Sequence, residues 1–143
     1  MATTRDILNA IADEKALALF DAIAVSDDSD SKILITKVRL SRKEYYMRIS
    51  RLVKAGLASR QTGTYSLTML GQIVYQAQLA IDHAVDISSK LKAVDMLKNS
   101  NIPEGERNKV INFLLSNDKI FPRFECVFAH FISAFSNIKF ILG

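Results

Sequence analysis

The chain has 143 residues and a net charge of +4; 49% of its residues are apolar and 24% are charged. This length suffices for one domain with its own core, and the apolar share excludes an intrinsically disordered chain. No run of about 20 uninterrupted apolar residues predicts a transmembrane helix. Cys126 is the only cysteine, which excludes an intramolecular disulfide, and the first residues lack the pattern of a secretory signal. We therefore expect a cytoplasmic protein with no membrane association.

The charge is distributed unevenly along the chain. Residues 1–31 have a net charge of −5, residues 32–65 of +8 and residues 66–143 of +1. Glu44 is the only acid of the middle block, which contains nine bases: Lys32, Lys37, Arg39, Arg42, Lys43, Arg48, Arg51, Lys54 and Arg60. Such a block is typical of a protein that binds a polyanion such as nucleic acid. Charge alone leaves a second interpretation open, in which these bases form only a solvated surface.

Two helices are predicted before residue 26. Apolar residues recur at helical spacing in two groups, Ile7, Leu8 and Ile11, and then Ala16, Leu17, Phe20 and Ile23. Asp13 lies between the groups and is a candidate cap of the second helix. The acidic loop at 27–30 could bind a divalent cation, but it lacks the alternating ligands, the glycine and the distant glutamate of a calcium loop. The favoured interpretation is a solvated turn that caps the next helix.

A short helix and a longer capped helix are predicted next. Asp30 or Ser31 can cap the short helix, whose apolar stripe is formed by Ile33, Leu34 and Val38. After Leu40, Ser41 and Glu44 form a capping box, in which the hydroxyl accepts from the amide of residue 44 while the glutamate reaches back. A helix over 41–55 follows, and Gly56 is placed to end it in the left-handed conformation.

The predicted helix over 41–55 has an apolar face and a basic face. At about 100° per residue, with Ile49 at the centre of the buried face, three further apolar side chains share its side: Tyr45, Leu52 and Val53. The opposite side carries Lys43, Met47, Ser50, Arg51 and Lys54, with Tyr46 and Arg48 at its flanks. Guanidinium groups can bind guanine, and lysine and tyrosine can reach phosphates, so this face suits a duplex groove. The short helix, tight turn and basic helix form a helix-turn-helix pattern.

The segment after this helix alternates as a β-hairpin. Leu57, Tyr65 and Leu67 occupy alternate positions in this pattern. Thr62 and Gly63 supply a short polar turn. A hairpin in this position is called a wing, and its tip can lie along the DNA backbone or in a minor groove. The other interpretation is a surface hairpin that only closes the core.

Helices are predicted for the rest of the chain. Thr68 can cap a long helix with an apolar stripe of Leu70, Val74, Ala77, Ile81 and Ala84, and Leu91, Val94 and Leu97 continue its phase. The segment 99–105 breaks this pattern, and residues 104–117 form another helix with Val110, Ile111, Leu114 and Leu115 inside. His83 and His130 are interpreted as structural or solvent-facing residues.

The segment 120–143 differs in composition from the rest of the chain. It contains six of the eight phenylalanines, and its apolar residues repeat at 3,4 spacing: Phe121, Phe124, Phe128, Phe131, Phe135, Ile138 and Leu142. This heptad-like seam is typical of a helix that packs against a partner helix. A dimer helix, packing onto its own chain and a species-specific tail all remain open.

Two runs resemble a known family. LSRKEYYMRISRLVKAGL, from Leu40 to Leu57, and YSLTMLGQIVY, from Tyr65 to Tyr75, resemble the archaeal winged-helix transcription regulators, broadly of the ArsR and MarR types. The resemblance covers residues 10–90, and residues 91–119 loosely. It implies a mainly α fold with a small β-hairpin wing (α+β), a winged helix-turn-helix followed by long C-terminal helices. It also implies a recognition helix at Ser41–Ala55 and a dimer interface in the helices after the wing.

These observations predict a transcription regulator that binds double-stranded DNA in a sequence-specific manner as a homodimer. The DNA-binding domain would span residues 1–90, and residues 91–143 would form a helical extension. The candidate DNA-binding residues are Lys37, Arg39, Ser41, Arg42, Lys43, Tyr46, Met47, Ser50, Arg51, Lys54, Arg60, Gln61, Thr62 and Thr64. The alternative is a winged-helix protein-interaction module, and an RNA-binding winged helix is a weaker third possibility. No catalytic, cofactor or metal motif is recognised, so we expect neither an enzyme nor a bound cofactor.

Overall fold

The structure is a computed structural model that describes residues 1–26 and 30–117. Within these residues it has seven helices and one two-stranded antiparallel hairpin, which confirms the predicted mainly helical α+β class. In chain order the elements are α1 (Thr4–Ala10), α2 (Glu14–Val25), α3 (Ser31–Val38), α4 (Arg42–Lys54), β1 (Ala58–Gln61), β2 (Thr64–Leu67), α5 (Met69–Asp86), α6 (Ser88–Lys98) and α7 (Glu104–Leu115). The predictions for residues 27–29 and for the segment 120–143, including Cys126 and His130, lie outside the described residues.

Residues 1–75 form one compact unit, and a second unit begins at residue 76. The first unit contains a continuous apolar core built from α2, α3, α4 and the start of the hairpin. Its largest fully buried side chains are Leu19, Phe20, Leu34, Tyr45, Leu52 and Leu57. The predicted division after residue 90 stays a prediction.

α2 and α3 begin at caps that the sequence predicts. The Asp13 carboxylate accepts from the amide of Ala16 at 2.9 Å, and Asp30 accepts from the amide of Lys32 at 3.3 Å. Each cap satisfies an amide that has no partner inside its helix. At the end of α4, Gly56 has φ +76°, which confirms the predicted left-handed residue.

The hairpin forms as predicted around Thr62 and Gly63. Its register pairs Ala58 with Leu67 and Gln61 with Thr64, which leaves a two-residue turn. Both turn residues have positive φ, 48° at Thr62 and 87° at Gly63, as in the turns that match the twist of paired strands. A single bridge between Asp30 and Thr64 ties β2 to the residue that caps α3.

Several apolar side chains that the sequence predicts to be buried are exposed. Ile33 on α3 is 55% exposed, and Val53 on α4 is 41% exposed. On α5, Leu70 is 40% and Ile81 is 61% exposed, because the buried positions of that helix are Gly71 and Gln78. Their stripes were assigned from spacing alone, and spacing does not fix the rotation of a helix toward its neighbours.

The helices of the second unit also differ from the prediction. The apolar phase does not continue unbroken from α5, because Ile87 leaves the helical conformation with φ −96° and ψ 15°. Ser88 and Ser89 follow it, and serine competes with helical hydrogen bonding in a helix interior. In α7 no residue is fully buried, and Val110 is 41% exposed rather than inside. α6 and α7 contact each other within this unit.

No helix among the described residues combines the length and the hydropathy that a bilayer crossing needs.

Candidate nucleic-acid interface

The N-terminus of α4 is fixed by a capping box and an ion pair. The Ser41 hydroxyl accepts from the Glu44 amide at 3.2 Å, and the Ser41 amide donates to Glu44 Oε2 at 2.9 Å. Lys15 Nζ on α2 donates to Glu44 Oε1 at 2.7 Å. The bond from Lys15, followed by those from Ser41, lowers the pKa of Glu44 from 4.5 to about 2. The only acid of the basic segment is therefore ionised at neutral pH and already has its partners.

Arg48 is the one base of α4 whose side chain is largely buried and ion-paired within the protein. Its Nε lies 3.1 Å from Asp13 Oδ1, its Nη1 donates to the Glu44 carbonyl at 3.4 Å, and its side chain is only 12% exposed. Burial opposes ionisation of Asp13, but the Ala16 amide and the Arg48 guanidinium lower its pKa. Arg48 thus holds α4 against the start of α2 and is not available to a ligand.

The buried face of α4 is rotated from its predicted position. Its buried side chains are Tyr45, Ile49 and Leu52, and Arg48 lies beside them. At about 100° per residue the centre of this face is turned from Ile49 by about 50°, toward Tyr45 and Leu52. The reason is that two polar anchors, Tyr45 and Arg48, bond to neighbouring helices on that side. Val53 consequently turns toward solvent.

The rotation defines a solvent-facing surface on α4, which we call the basic face. Its central line has 3,4 spacing and consists of Lys43, Met47, Ser50 and Lys54, all exposed. Tyr46 and Val53 lie along one edge, 58% and 41% exposed. Arg51 lies along the other edge, where it lines a groove together with Asp6 and Asn9 of α1.

The turn between α3 and α4 contains a basic residue in a strained conformation. Arg39 has φ 54° and ψ 46°, a left-handed conformation that usually favours glycine. The Arg39 amide donates to the Thr36 carbonyl at 3.3 Å, and the Leu40 amide donates to the Ile35 carbonyl at 3.0 Å. These two bonds form a Schellman motif that closes α3, and Leu40 is buried just after it. The Arg39 side chain is left exposed at the start of α4.

A line of aromatic rings connects the basic face to the hairpin. The fully buried Tyr45 ring contacts the Tyr46 ring edge-on at 5.3 Å and the Tyr65 ring edge-on at 6.5 Å. Arg60 Cζ lies 5.9 Å from the centre of the Tyr65 ring, its cross-strand partner. The Tyr45 hydroxyl donates to Ser31 Oγ at 3.1 Å, and burial raises the pKa of Tyr45. These contacts fix the base of the hairpin relative to α3 and α4.

The fourteen predicted site residues all lie in the first unit, and thirteen of them are exposed. Lys37 lies in the last turn of α3, and Arg39 lies in the turn that follows. Ser41 caps α4, and the helix carries Arg42, Lys43, Tyr46, Met47, Ser50, Arg51 and Lys54. Arg60, Gln61 and Thr62 are at the hairpin tip with Thr64, which is half-buried and donates to the Gln61 carbonyl at 3.0 Å. The set is therefore accessible apart from part of Thr64.

Three residues that support this surface were missed in the sequence. Lys15 and Asp13 bond to α4 from 29 and 35 positions away along the chain, so no local pattern could have revealed them as its partners. Tyr65 was assigned only to the same set of alternate positions as Leu57 and Leu67, although its ring contacts the Tyr45 ring edge-on and lies under the Arg60 guanidinium. The alternation of apolar residues predicts which side of the hairpin Tyr65 occupies, but it does not predict which residues Tyr65 contacts.

The described part of the chain contains no group of three or more His, Cys, Asp or Glu residues that could hold a metal ion. Comparison of the chain with protein families, curated proteins and solved structures finds no match.

Proposed function

We propose that this protein binds double-stranded DNA through the basic face of α4 and the tip of the hairpin, and that it regulates transcription as a sequence-specific DNA-binding protein. The observation that carries the proposal is which charged side chains of α4 are paired within the protein and which are exposed. Its one acid is paired with Lys15, and its one shielded base is paired with Asp13. The remaining bases of the helix, Arg42, Lys43, Arg51 and Lys54, are all exposed. An unbalanced cationic helix of this kind attracts phosphates.

The local architecture supports the same function. α3, the tight turn at Arg39 and α4 follow one another as in a helix-turn-helix, in which the second helix enters the major groove. The hairpin follows α4 directly, in the position that the wing would have in a winged helix. In this proposal Arg42 and Lys43 bind phosphates at the start of α4, and Tyr46, Met47, Ser50 and Arg51 face base edges. Lys54 and Arg60 follow the backbone.

The second unit carries a candidate interface for a protein partner, because its described helices expose large apolar side chains. Ile81 is 61%, Val85 65%, Met96 75% and Phe113 79% exposed. Groups of exposed apolar side chains often mark protein-binding surfaces. We propose that a second copy of this chain binds here and gives a homodimer that reads two half-sites about one DNA turn apart. Light scattering on the purified chain tests this proposal, and a monomer at all concentrations would contradict it.

Selection from a pool of randomised duplexes tests sequence-specific binding. Enrichment of one motif over several rounds is the expected result, whereas recovery of unrelated sequences would contradict specific recognition. Two variants then test the assigned roles on the selected duplex and a scrambled one. Arg51→Ala should weaken binding to the selected duplex more than to the scrambled duplex, since a base contact is lost. Lys54→Ala should weaken both about equally, and equal losses for both variants would contradict base recognition by Arg51.

A further inference from the structure

Three apolar side chains interrupt the cationic surface of α4. Tyr46 is 58%, Met47 43% and Val53 41% exposed, and none of them belongs to the apolar core. Met47 differs from the other two because it lies on the central line of the basic face, between Lys43 and Ser50. Its exposure is not needed for folding, and a partner that buries it would gain a hydrophobic contact.

The residue types on α4 restrict which bases this helix can recognise. It carries no Asn or Gln, the side chains that pair with adenine N6 and N7. Its only carboxylate, that of Glu44, bonds to Ser41 and Lys15 and is not available to accept from cytosine N4. What remains on the exposed face is cationic, hydroxyl or apolar. Arginine and lysine recognise guanine, and an apolar group recognises the C5 methyl group of thymine.

Met47 is better suited to that methyl contact than Tyr46. The Tyr46 ring is braced edge-on against the buried Tyr45 ring at 5.3 Å, which restricts where it can go. Met47 is unbranched, and its polarizable thioether adapts to the shape of a partner. Met47 lies between Lys43 and Lys54 on the exposed side of α4, so a helix held on phosphates by these two lysines would present Met47 to the bases.

We propose that Met47 contacts the C5 methyl group of a thymine in the major groove, so that the protein distinguishes thymine from uracil at that base pair. This inference rests on the proposed DNA binding by α4. It identifies a specificity-determining contact that is hydrophobic and carries no charge, and the contact should therefore be insensitive to salt.

Replacement of thymine by deoxyuridine in the selected duplex tests the contact, because it removes the methyl group and keeps base pairing. The dissociation constant of the wild-type protein should rise about fourfold for each contacted methyl group, at every salt concentration. Met47→Leu, which stays apolar, should keep this difference between the two duplexes. Met47→Ala should lose it, and Ile33→Ala, at an exposed apolar residue of α3 outside the basic face, is the matched control that should retain it. Thermal unfolding of each variant verifies that the exposed substitutions leave the fold intact.

The outcomes separate the inference from the function on which it rests. Tight, salt-dependent binding that is equal for the thymine and uracil duplexes would overturn the methyl contact and leave DNA binding in place. A thymine preference that survives in Met47→Ala would assign the contact to another residue and overturn the role of Met47. Failure to bind either duplex at low salt would overturn both.

Discussion

Arg48 Nε lies 3.1 Å from Asp13 Oδ1, and the same oxygen accepts from the Ala16 amide in the first turn of α2. One carboxylate therefore caps α2 and anchors α4. This relationship divides the bases of α4 into one that holds the fold and others that face solvent. Because the two roles fall on different residues, they can be separated experimentally.

Arg48→Ala should destabilise the protein and leave DNA binding close to the wild-type level. The substitution removes a shielded side chain and its hydrogen bonds, and we expect the free energy of unfolding to fall by about 1–2 kcal/mol. Arg51→Ala removes the same charge from the exposed edge, and it should reduce affinity with little change in stability. Urea unfolding and duplex titration of both variants measure the two effects. An equal loss of affinity in Arg48→Ala would contradict this division.

Arg39→Gly should make the protein more stable and its DNA binding weaker. Arg39 has φ 54°, and relief of the left-handed strain should raise the free energy of unfolding by about 1 kcal/mol. Loss of the cation should lower the salt dependence of duplex binding by about 0.9 per lost phosphate contact. Arg39→Lys is the control, since it keeps the charge and the strain and should resemble the wild type. If Arg39→Gly bound the duplex as tightly as the wild type, Arg39 would not be part of the DNA interface.

Gly71→Ala should be strongly destabilising. A Cβ at this position would lie 2.0 Å from the Leu57 carbonyl oxygen, a backbone atom that the Thr68 amide already binds at 3.0 Å. The start of α5 would have to move from the hairpin, and such overpacking costs about 1–3 kcal/mol or more. Gly105→Ala in α7 is the matched control, because its Cβ would meet nothing within 4 Å. It should be neutral or stabilising in the same unfolding experiment, and a similar loss in both variants would contradict the close approach.

Acid should destabilise the protein partly through Glu44. Its folded pKa of about 2 lies below its ordinary value of 4.5, so its contribution to stability is complete above pH 4.5 and is lost as the pH falls toward 2. Glu44→Gln should therefore unfold with a shallower dependence on pH over this window. Lys15→Met should shift this acid-induced loss of stability to higher pH, because it removes the hydrogen bond from Lys15 that is the largest cause of the low pKa of Glu44. Identical pH profiles for the wild type and both variants would show that these contacts do not stabilise the folded state.

Local signals in the sequence predicted where α2 and α4 begin, where α4 ends and where the hairpin turns. Ser41 with Glu44, Asp13, Gly56 and the Thr62–Gly63 turn each act within a few residues, and each has its predicted place. The α+β class follows from these signals. The winged helix-turn-helix, the homodimer and the DNA-binding role of the site residues stay predictions.

The orientation of α4 could not be predicted in the same way. Val53 was expected inside because it is apolar, and Arg48 at the flank of the basic side because it is charged. The reverse holds, since the Asp13 carboxylate gives Arg48 a partner near the core and the helix turns to reach it. The contact between Asp13 and Arg48, which are 35 positions apart in the chain, contributes to this rotation. The spacing of apolar residues within one helix carries no information about such a contact.

The most direct test of DNA binding by the basic face is a fluorescence anisotropy titration at several salt concentrations. A duplex from the region upstream of the gene and a shuffled duplex are titrated between about 50 mM and 200 mM salt. We predict tighter binding to the upstream duplex, with a log–log slope of about 0.9 per phosphate contact. The double variant Lys43→Ala/Lys54→Ala should lower this slope by about 1.8, whereas Lys92→Ala on α6 should leave it unchanged. Absence of binding at low salt, or an unchanged slope in the double variant, would contradict the account.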